Sequence, residues 1–215
     1  HANRYGIIRT RFAREIIEEM RQILGPDYPI TVRMAGNDFV AGSNTDLETP
    51  EIARVYEKAG VDAISVTGGW HEAHVPQLTM SVPRGAYIYL AQTIKEAVSI
   101  PVIASNRVPE PKLAEKLLRD GQADLVNLGR VLMADPFWPQ KAGSGHPERI
   151  MPCVACLQGC MDELVVGRPV KCMVNPRQGY EGERNIIQAD KPKRVLVIGA
   201  GPGGLEAAVR AAEVG

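Results

Sequence analysis

The sequence predicts a parallel α/β fold. The chain would supply the C-terminal half of a TIM (β/α)8 barrel, then a cysteine-rich segment, then the start of a Rossmann-like nucleotide-binding domain. Three observations carry this. Helical and short apolar runs alternate four times between Arg11 and Asp135. All four cysteines fall between positions 153 and 172. A final apolar run, Arg194-Val-Leu-Val-Ile198, leads directly into Gly199-Ala-Gly-Pro-Gly-Gly204. The implied boundaries are 1–150 for the barrel portion, 151–190 for the cysteine segment and linker, and 191–215 for the nucleotide-binding start.

The elements follow in order. Phe12, Ile16, Ile17, Met20, Ile23 and Leu24 recur at helical spacing and predict one apolar helix face, ended by Gly25-Pro26. Ile30 to Met34 reads as a buried strand. The next helix runs from about Thr49, read as its N-cap with Pro50 at the first helical position, to Gly60. Asp62 to Val66 is the second strand, closed by Thr67-Gly68-Gly69. A long loop and a helix from about Gly85 to Val98 lead to strand Pro101–Ala104. A helix from Glu110 to Arg119, stopped by Gly121, precedes strand Asp124–Leu128. From Pro136 to about Asp190 the periodicity fails, and Gly, Pro, Cys and Arg dominate.

Apolar, β-branched strands between helices imply a parallel sheet. A doubly wound sheet and a barrel both satisfy that pattern. Polar groups at the strand ends favour the barrel: Arg33, Thr67-Gly68-Gly69, Ser105-Asn106-Arg107 and Gly129-Arg130. Barrels build their sites at the C-terminal ends of the strands. Four strands make half of a barrel and leave two raw edges, so the chain reads as part of a longer polypeptide.

Composition narrows the partners. The 25 basic residues balance 25 acidic ones, so no basic field exists to attract nucleic acid or an anionic membrane. No apolar run approaches the roughly 20 residues that span a bilayer. Cysteines gathered in one stretch argue against a disulfide framework and for metal ligation in a reducing cytoplasm. Self-association into a homo-oligomer stays open.

The cysteine spacing, C-x2-C-x3-C-x11-C over Cys153, Cys156, Cys160 and Cys172, favours a [4Fe–4S] cluster. Three thiolates in eight residues and a fourth from a returning segment can converge on one cubane, whereas structural zinc commonly uses two separated C-x2-C pairs. Gly199, Gly201 and Gly204 form G-x-G-x-x-G between an apolar run and a helix. There glycines let the backbone approach a pyrophosphate at the helix N-terminus; FAD, NAD and NADP are not distinguished by it. Arg107, Gly129 and Arg130 follow the third and fourth strands, where barrels bind phosphate if these are strands 7 and 8; structural ion pairs are the alternative. Arg33 needs a partner for a charge closing a buried strand, either a flavin N1–C2 carbonyl edge or a neighbouring carboxylate. His71, in Gly69-Trp-His-Glu-Ala-His-Val-Pro76, is a candidate proton donor because histidine exchanges protons near neutral pH. A loop histidine satisfied by backbone carbonyls is the plainer alternative.

Taken together, this order of motifs resembles the iron–sulfur members of the Old Yellow Enzyme-like NADH:flavin oxidoreductases, such as 2,4-dienoyl-CoA reductase and 2-enoate reductase. The most specific residues are Gly69-Trp-His-Glu-Ala73, Pro76, Val82-Pro-Arg-Gly-Ala86, Asn106-Arg107, the four cysteines and Val174-Asn-Pro176. The resemblance implies electrons passing from NAD(P)H to FAD, through the [4Fe–4S] cluster to FMN, and on to the C=C bond of an unsaturated acyl-CoA thioester or enoate. It implies that Arg33, Asn106, Arg107, Gly129 and Arg130 contact FMN, and that Gly199, Gly201 and Gly204 contact the second nucleotide cofactor. His71 would support protonation, with Glu72, Ala73 and His74 on the substrate loop. Asn3-Arg4-Tyr5-Gly6-Ile7 departs from the family pattern, so nothing carries over to positions 1–10. An oxidative amine demethylase of the same fold, and a non-catalytic iron–sulfur electron-transfer module, are the alternatives.

Overall fold

The computed structural model describes residues 9–184 and 187–215; the departure at Asn3-Arg4-Tyr5-Gly6-Ile7 therefore lies outside the described residues. It divides into two compact units, residues 1–175 and 176–215.

The first unit is built on four parallel strands: β1 (Thr31–Ala35), β2 (Ala63–Thr67), β3 (Val102–Ala104) and β4 (Leu125–Val126). Their order in the sheet is sequential, β1-β2-β3-β4. Right-handed crossovers between sequential parallel strands place every helix on the same face. The helices are α1 (Arg11–Leu24), α2 (Thr49–Ala59), α3 (Ile88–Lys95) and α4 (Pro111–Arg119). The register shows the consequence. Val32, Ile64 and Val102 form one row, and Met34, Val66, Ala104 and Val126 the next. Both rows pack with Ala53, Leu90, Ile94 and Leu117 of the helices in one core. The intervening row, Arg33-Ser65-Ile103-Leu125, belongs to the opposite face. A doubly wound sheet reverses strand order and carries helices on both faces; this sheet has barrel topology.

Carboxylates tie the N-terminal ends of the strands together. Asp62 accepts the Ile30 N–H at 2.6 Å and Arg21 Nη2 at 2.5 Å. Asp124 accepts the Val102 N–H at 2.9 Å and Lys95 Nζ at 2.5 Å. Glu57 accepts the Ser99 N–H at 2.8 Å, the Ser99 hydroxyl at 2.6 Å and the Ile100 N–H at 3.2 Å. Hydrogen bonds to the charged form hold all three below the usual carboxylate range. The largest contribution comes from the Ile30 amide for Asp62, from Lys95 for Asp124 and from Ser99 for Glu57.

Three expectations are corrected. Thr49 is not the N-cap of α2 but its first residue. It is buried, and its hydroxyl donates to the Gly36 carbonyl at 2.6 Å, linking the helix to the end of β1. The apolar face of α1 is not a buried face. Only Ile17 is buried, while Phe12 and Ile23 are 78% and 73% exposed. The reason is packing: a helical period creates the stripe, but burial needs a facing element. The stretch after Pro136 is also not wholly irregular. After the short α5 (Arg130–Ala134) it forms α6 (Trp138–Gly143), a 3-10 turn (Pro147–Arg149) and α7 (Met161–Val165). Trp138 there is buried and donates from its indole to the Pro109 carbonyl at 2.9 Å.

In the second unit, α8 (Pro202–Val214) opens directly after Gly201. Positions 194–198 are not assigned as a strand; Val195, Leu196 and Ile198 are exposed. A strand requires a neighbour for its ladder, and the described residues of this unit provide none. Among the described residues no helix is long and apolar enough to cross a membrane.

Candidate functional site

The C-terminal ends of the strands surround a cavity of about 280 Å³. It is lined by Arg33 from β1, by Ser105, Asn106 and Arg107 after β3, and by Asn127, Gly129 and Arg130 after β4. Asn106 and Arg107 both adopt left-handed backbone, with φ of 74° and 53°, a conformation uncommon for residues with a Cβ. The turn is held on both sides. Asn106 Nδ2 donates to Thr67 Oγ1 at 3.3 Å, and the Arg107 carbonyl accepts the Gly85 N–H at 2.8 Å.

The two arginines also organise the long β2–α3 loop. Arg107 Nη1 donates to the Thr79 carbonyl at 3.0 Å and Arg130 Nη1 to the Leu78 carbonyl at 2.7 Å. That leaves cationic surface over. Among the described residues Arg107 Nε and the Ser105 hydroxyl are buried without a hydrogen-bond partner, as is the Ser65 hydroxyl beside Arg33 in the register. Among the described residues no carboxylate lines the cavity. Burial, and then the guanidiniums of Arg130 and Arg84, push Arg107 below the usual arginine range. Unpartnered donors and uncompensated positive charge are costly unless an acceptor enters. The residues fit an anionic, oxygen-rich ligand such as the phosphate end of FMN.

Arg33 does not close its strand. It is the third of five residues in β1, exposed, and its side chain has no hydrogen bond or ion pair among the described residues. The carboxylate alternative therefore finds no support, and the side chain lines the cavity instead.

His71, Glu72 and His74 lie on the loop following β2, at the same end of the sheet. All three are exposed, and none lines the cavity. Ala73 is buried, its N–H donating to the Trp70 carbonyl at 2.9 Å, and the His71 ring meets that of Trp70 edge-on at 5.8 Å.

A second, smaller cavity is lined by all four cysteines together with Met133, Val154, Leu157, Met173 and Val174. The loop reaches this arrangement through left-handed backbone at Ala155 and Leu157, φ 54° and 65°, on either side of Cys156. Gly159 brings in the fourth cysteine. Its carbonyl accepts the Lys171 N–H at 2.6 Å, and a Cβ there would stand 2.7 Å from the Lys171 carbonyl oxygen. Any larger residue would push Cys172 away. Among the described residues no three His, Cys, Asp or Glu side chains gather as ligands of a single ion. The donor set fits a cubane, whose four thiolates bind four different irons rather than one. Arg130, Cys153 and Ala155 line both cavities, so the two share a wall.

In the second unit, Gly199 has φ 106°, and a Cβ on Gly204 would collide with the Gly199 carbonyl oxygen. That is the close helix-to-loop approach for which the third glycine of the motif is needed. The Leu205 N–H donates to the Gly201 carbonyl at 2.9 Å as the helix starts.

Sequence reasoning missed Asn127, Leu78, Ala155 and Met161 as lining residues, and Gly159 as the point of closure. Asn127 had a signal, a polar residue ending an apolar run two positions before Gly129. Gly159 had one too, lying between two cysteines. Ala155 had none.

Comparison with known proteins adds the following. Residues 5–149 match the NADH:flavin oxidoreductase / NADH oxidase family. The chain is 53% identical over 207 residues to a metal reductase of Desulforamulus reducens, covering 95% of this chain and 31% of that protein. It is 42% identical over 210 residues to an NADH oxidase of Thermoanaerobacter brockii, covering 96% and 32%. Among solved structures, a 2-naphthoyl-CoA reductase in complex with 2-naphthoyl-CoA superposes with a TM-score of 0.92 at 40% identity, covering 96% of this chain and 32% of that one. The chain thus spans about a third of the length of the relatives it matches.

Proposed function

The chain belongs to the NADH:flavin oxidoreductase / NADH oxidase family, and from that premise we propose that the protein reduces a C=C bond conjugated to an acyl thioester or enoate carbonyl, with NAD(P)H as reductant. The observation that carries this reading is the shared wall. A cavity with cationic, unpartnered donors adjoins a cavity lined by four cysteines, and Arg130, Cys153 and Ala155 belong to both. Similarity to a reductase holding an acyl-CoA thioester supports the substrate class.

When bound, FMN supplies hydride chemistry, a [4Fe–4S] cluster supplies one-electron transfer, and FAD accepts hydride from NAD(P)H. The residues of the chain do the rest. Arg107, Arg130 and Gly129 take the FMN phosphate, with Asn106 fixing the turn that presents Arg107. Arg33 stabilises negative charge at the N1–C2 carbonyl edge of reduced flavin. Cys153, Cys156, Cys160 and Cys172 ligate the cluster. Gly199, Gly201 and Gly204 admit the pyrophosphate of FAD or NAD(P)H. His71 handles the proton that balances hydride addition, while Glu72, Ala73 and His74 shape the substrate loop. Domain limits of 1–150, 151–190 and 191–215 suit this division of labour.

Anaerobically purified full-length protein tests the reading. Flavin, iron and acid-labile sulfide should be present together, and NAD(P)H oxidation should accelerate on adding an enoyl-CoA thioester. A second reading, in which metal ions are the terminal acceptor, is favoured by the 53% identity to a metal reductase. NAD(P)H oxidation driven by Fe(III) but untouched by unsaturated thioesters would select it. Zinc without sulfide would remove the cluster from either reading.

A further inference from the structure

Helix α5 meets both cavities. Its N-cap Gly129 and first residue Arg130 line the larger cavity, and Arg130 and Met133 line the cysteine pocket. Its far end carries an unusual group. Asp135, immediately after the helix, is 3% exposed, and its carboxylate is fully engaged. Oδ1 accepts the Phe137 N–H at 3.0 Å. Oδ2 accepts Lys141 Nζ at 2.6 Å and the Met151 N–H at 2.9 Å. Met151 enters the cysteine segment two residues before Cys153. The exit is tied to the same helix, because Asn175 Nδ2 donates to the Met133 carbonyl at 2.9 Å, three residues after Cys172. Neither Asp135 nor Asn175 lines either cavity.

The segment between these ties has little regular structure of its own. It contains one five-residue helix and two left-handed non-glycine residues, and its closure at Gly159 is internal. No β-ladder attaches it to the sheet. Its two ends are therefore tied to α5 and the residue that follows it, while Ile150 and Cys153 pack against the core. A buried carboxylate is costly unless charge and hydrogen bonds compensate it, and here all three partners belong to this junction.

We propose that Asp135 and Asn175 are positioning residues for electron transfer: through α5 they hold the cysteine pocket at a set separation from the flavin cavity. The proposal rests on the flavin and cluster reading above. Both residues act on distance and orientation, so they should govern the rate between the two centres while leaving the occupancy and potential of each unchanged.

The test uses the full-length protein with Asp135→Asn, Asn175→Ala and the conservative Asn175→Gln. The measured step oxidises one NAD(P)H to NAD(P)⁺ and reduces one barrel flavin by two electrons, its second proton coming from solvent. The first two variants should keep the flavin and iron content and the midpoint potentials of the parent. Flavin reduction by NAD(P)H should slow about 10–100-fold, and iron withdrawal by a chelator should quicken by a similar factor, the range typical of lost outer-shell contacts. Asn175→Gln should recover part of the loss. Parental rates in both variants would overturn the proposal, and so would flavin loss and a lowered melting temperature in step with iron loss, which mark a general folding role. If Asp135→Asn does not fold, Asn175→Ala decides alone, since that side chain is only half-buried. A parent without iron and sulfide would instead remove the reading beneath the proposal.

Discussion

The two ends of the parallel sheet differ in how their charges are satisfied. At the N-terminal end Asp62, Asp124 and Glu57 each accept hydrogen bonds from a neighbouring strand start, and each also has a cation or hydroxyl partner. At the C-terminal end Arg107 Nε and the Ser105 hydroxyl are buried without partners, and Arg33 is unpaired among the described residues. Both ends are polar, so polarity alone does not tell structure from site. Satisfaction does: a closed network stabilises the sheet, and an open one awaits a ligand. In barrels the same division assigns stability to the N-terminal face and chemistry to the C-terminal face.

The largest expected effect concerns the cysteines. Replacing any of Cys153, Cys156, Cys160 or Cys172 by Ser in the full-length protein should abolish stoichiometric iron and sulfide, because cluster and local fold are thermodynamically coupled. The first unit's sheet should keep its urea midpoint in the Cys156, Cys160 and Cys172 variants, since none of the buried core residues is a cysteine and only Cys153 packs against them. Retained iron would break the assignment for that residue. A sheet that unfolds with the cluster would break the separation of the two ends.

Next in size is His71. His71→Ala should slow oxidation of reduced FMN by an enoyl thioester about 10²–10⁴-fold, the usual contribution of a positioned acid–base group. Reduction of the flavins by NAD(P)H should stay near the parent rate. Stopped-flow measurement of the two half-reactions decides this. Equal slowing of both would turn His71 into a structural residue, and no slowing would leave it an ordinary exposed loop histidine.

Arg33→Ala should lower the FMN midpoint potential. One charge-assisted hydrogen bond, roughly 1.5–3 kcal/mol, stronger toward the reduced flavin, sets the scale. The melting temperature should hardly move, because the side chain is exposed and pairs with nothing in the described residues. A potentiometric titration with FMN still bound checks the first statement, and thermal unfolding the second.

The smallest effect sharpens the contrast from the other end. Asp62, Asp124 and Glu57 are all depressed below their ordinary values. A depressed carboxylate contributes stability that is fully present above the unfolded value and disappears as pH falls through the folded one. Stability should therefore decline on acidification only below the ordinary carboxylate range, near pH 4. Asp124→Asn should flatten that decline without altering flavin affinity. These carboxylates are mostly solvent-accessible, so each contributes modestly. A decline unchanged in Asp124→Asn would remove this residue from the account.

The sequence by itself determined what depends on local order along the chain. Alternating periods specified four β/α units. Gly25, Gly60 and Gly121 marked helix ends, and clustered cysteines and spaced glycines named two candidate sites by residue number. Polar residues after apolar runs placed Asn106, Arg107, Gly129 and Arg130 at one end of the sheet, which is where they line the cavity. Tertiary structure alone decided what depends on neighbours distant in the chain. Sequential strand order put all four helices on one face and so separated barrel from doubly wound topology. The apolar stripe of α1 was legible, but its exposure was not, because burial is a property of a pair of surfaces. Thr49 reads as a cap until the Gly36 carbonyl, 13 residues earlier, claims its hydroxyl. The shared wall at Arg130, Cys153 and Ala155 joins positions more than 20 residues apart, and Asp135 reaches Met151 only because α6 folds back between them. No periodicity encodes such meetings. They follow from which surfaces remain open once the sheet and its helices have packed.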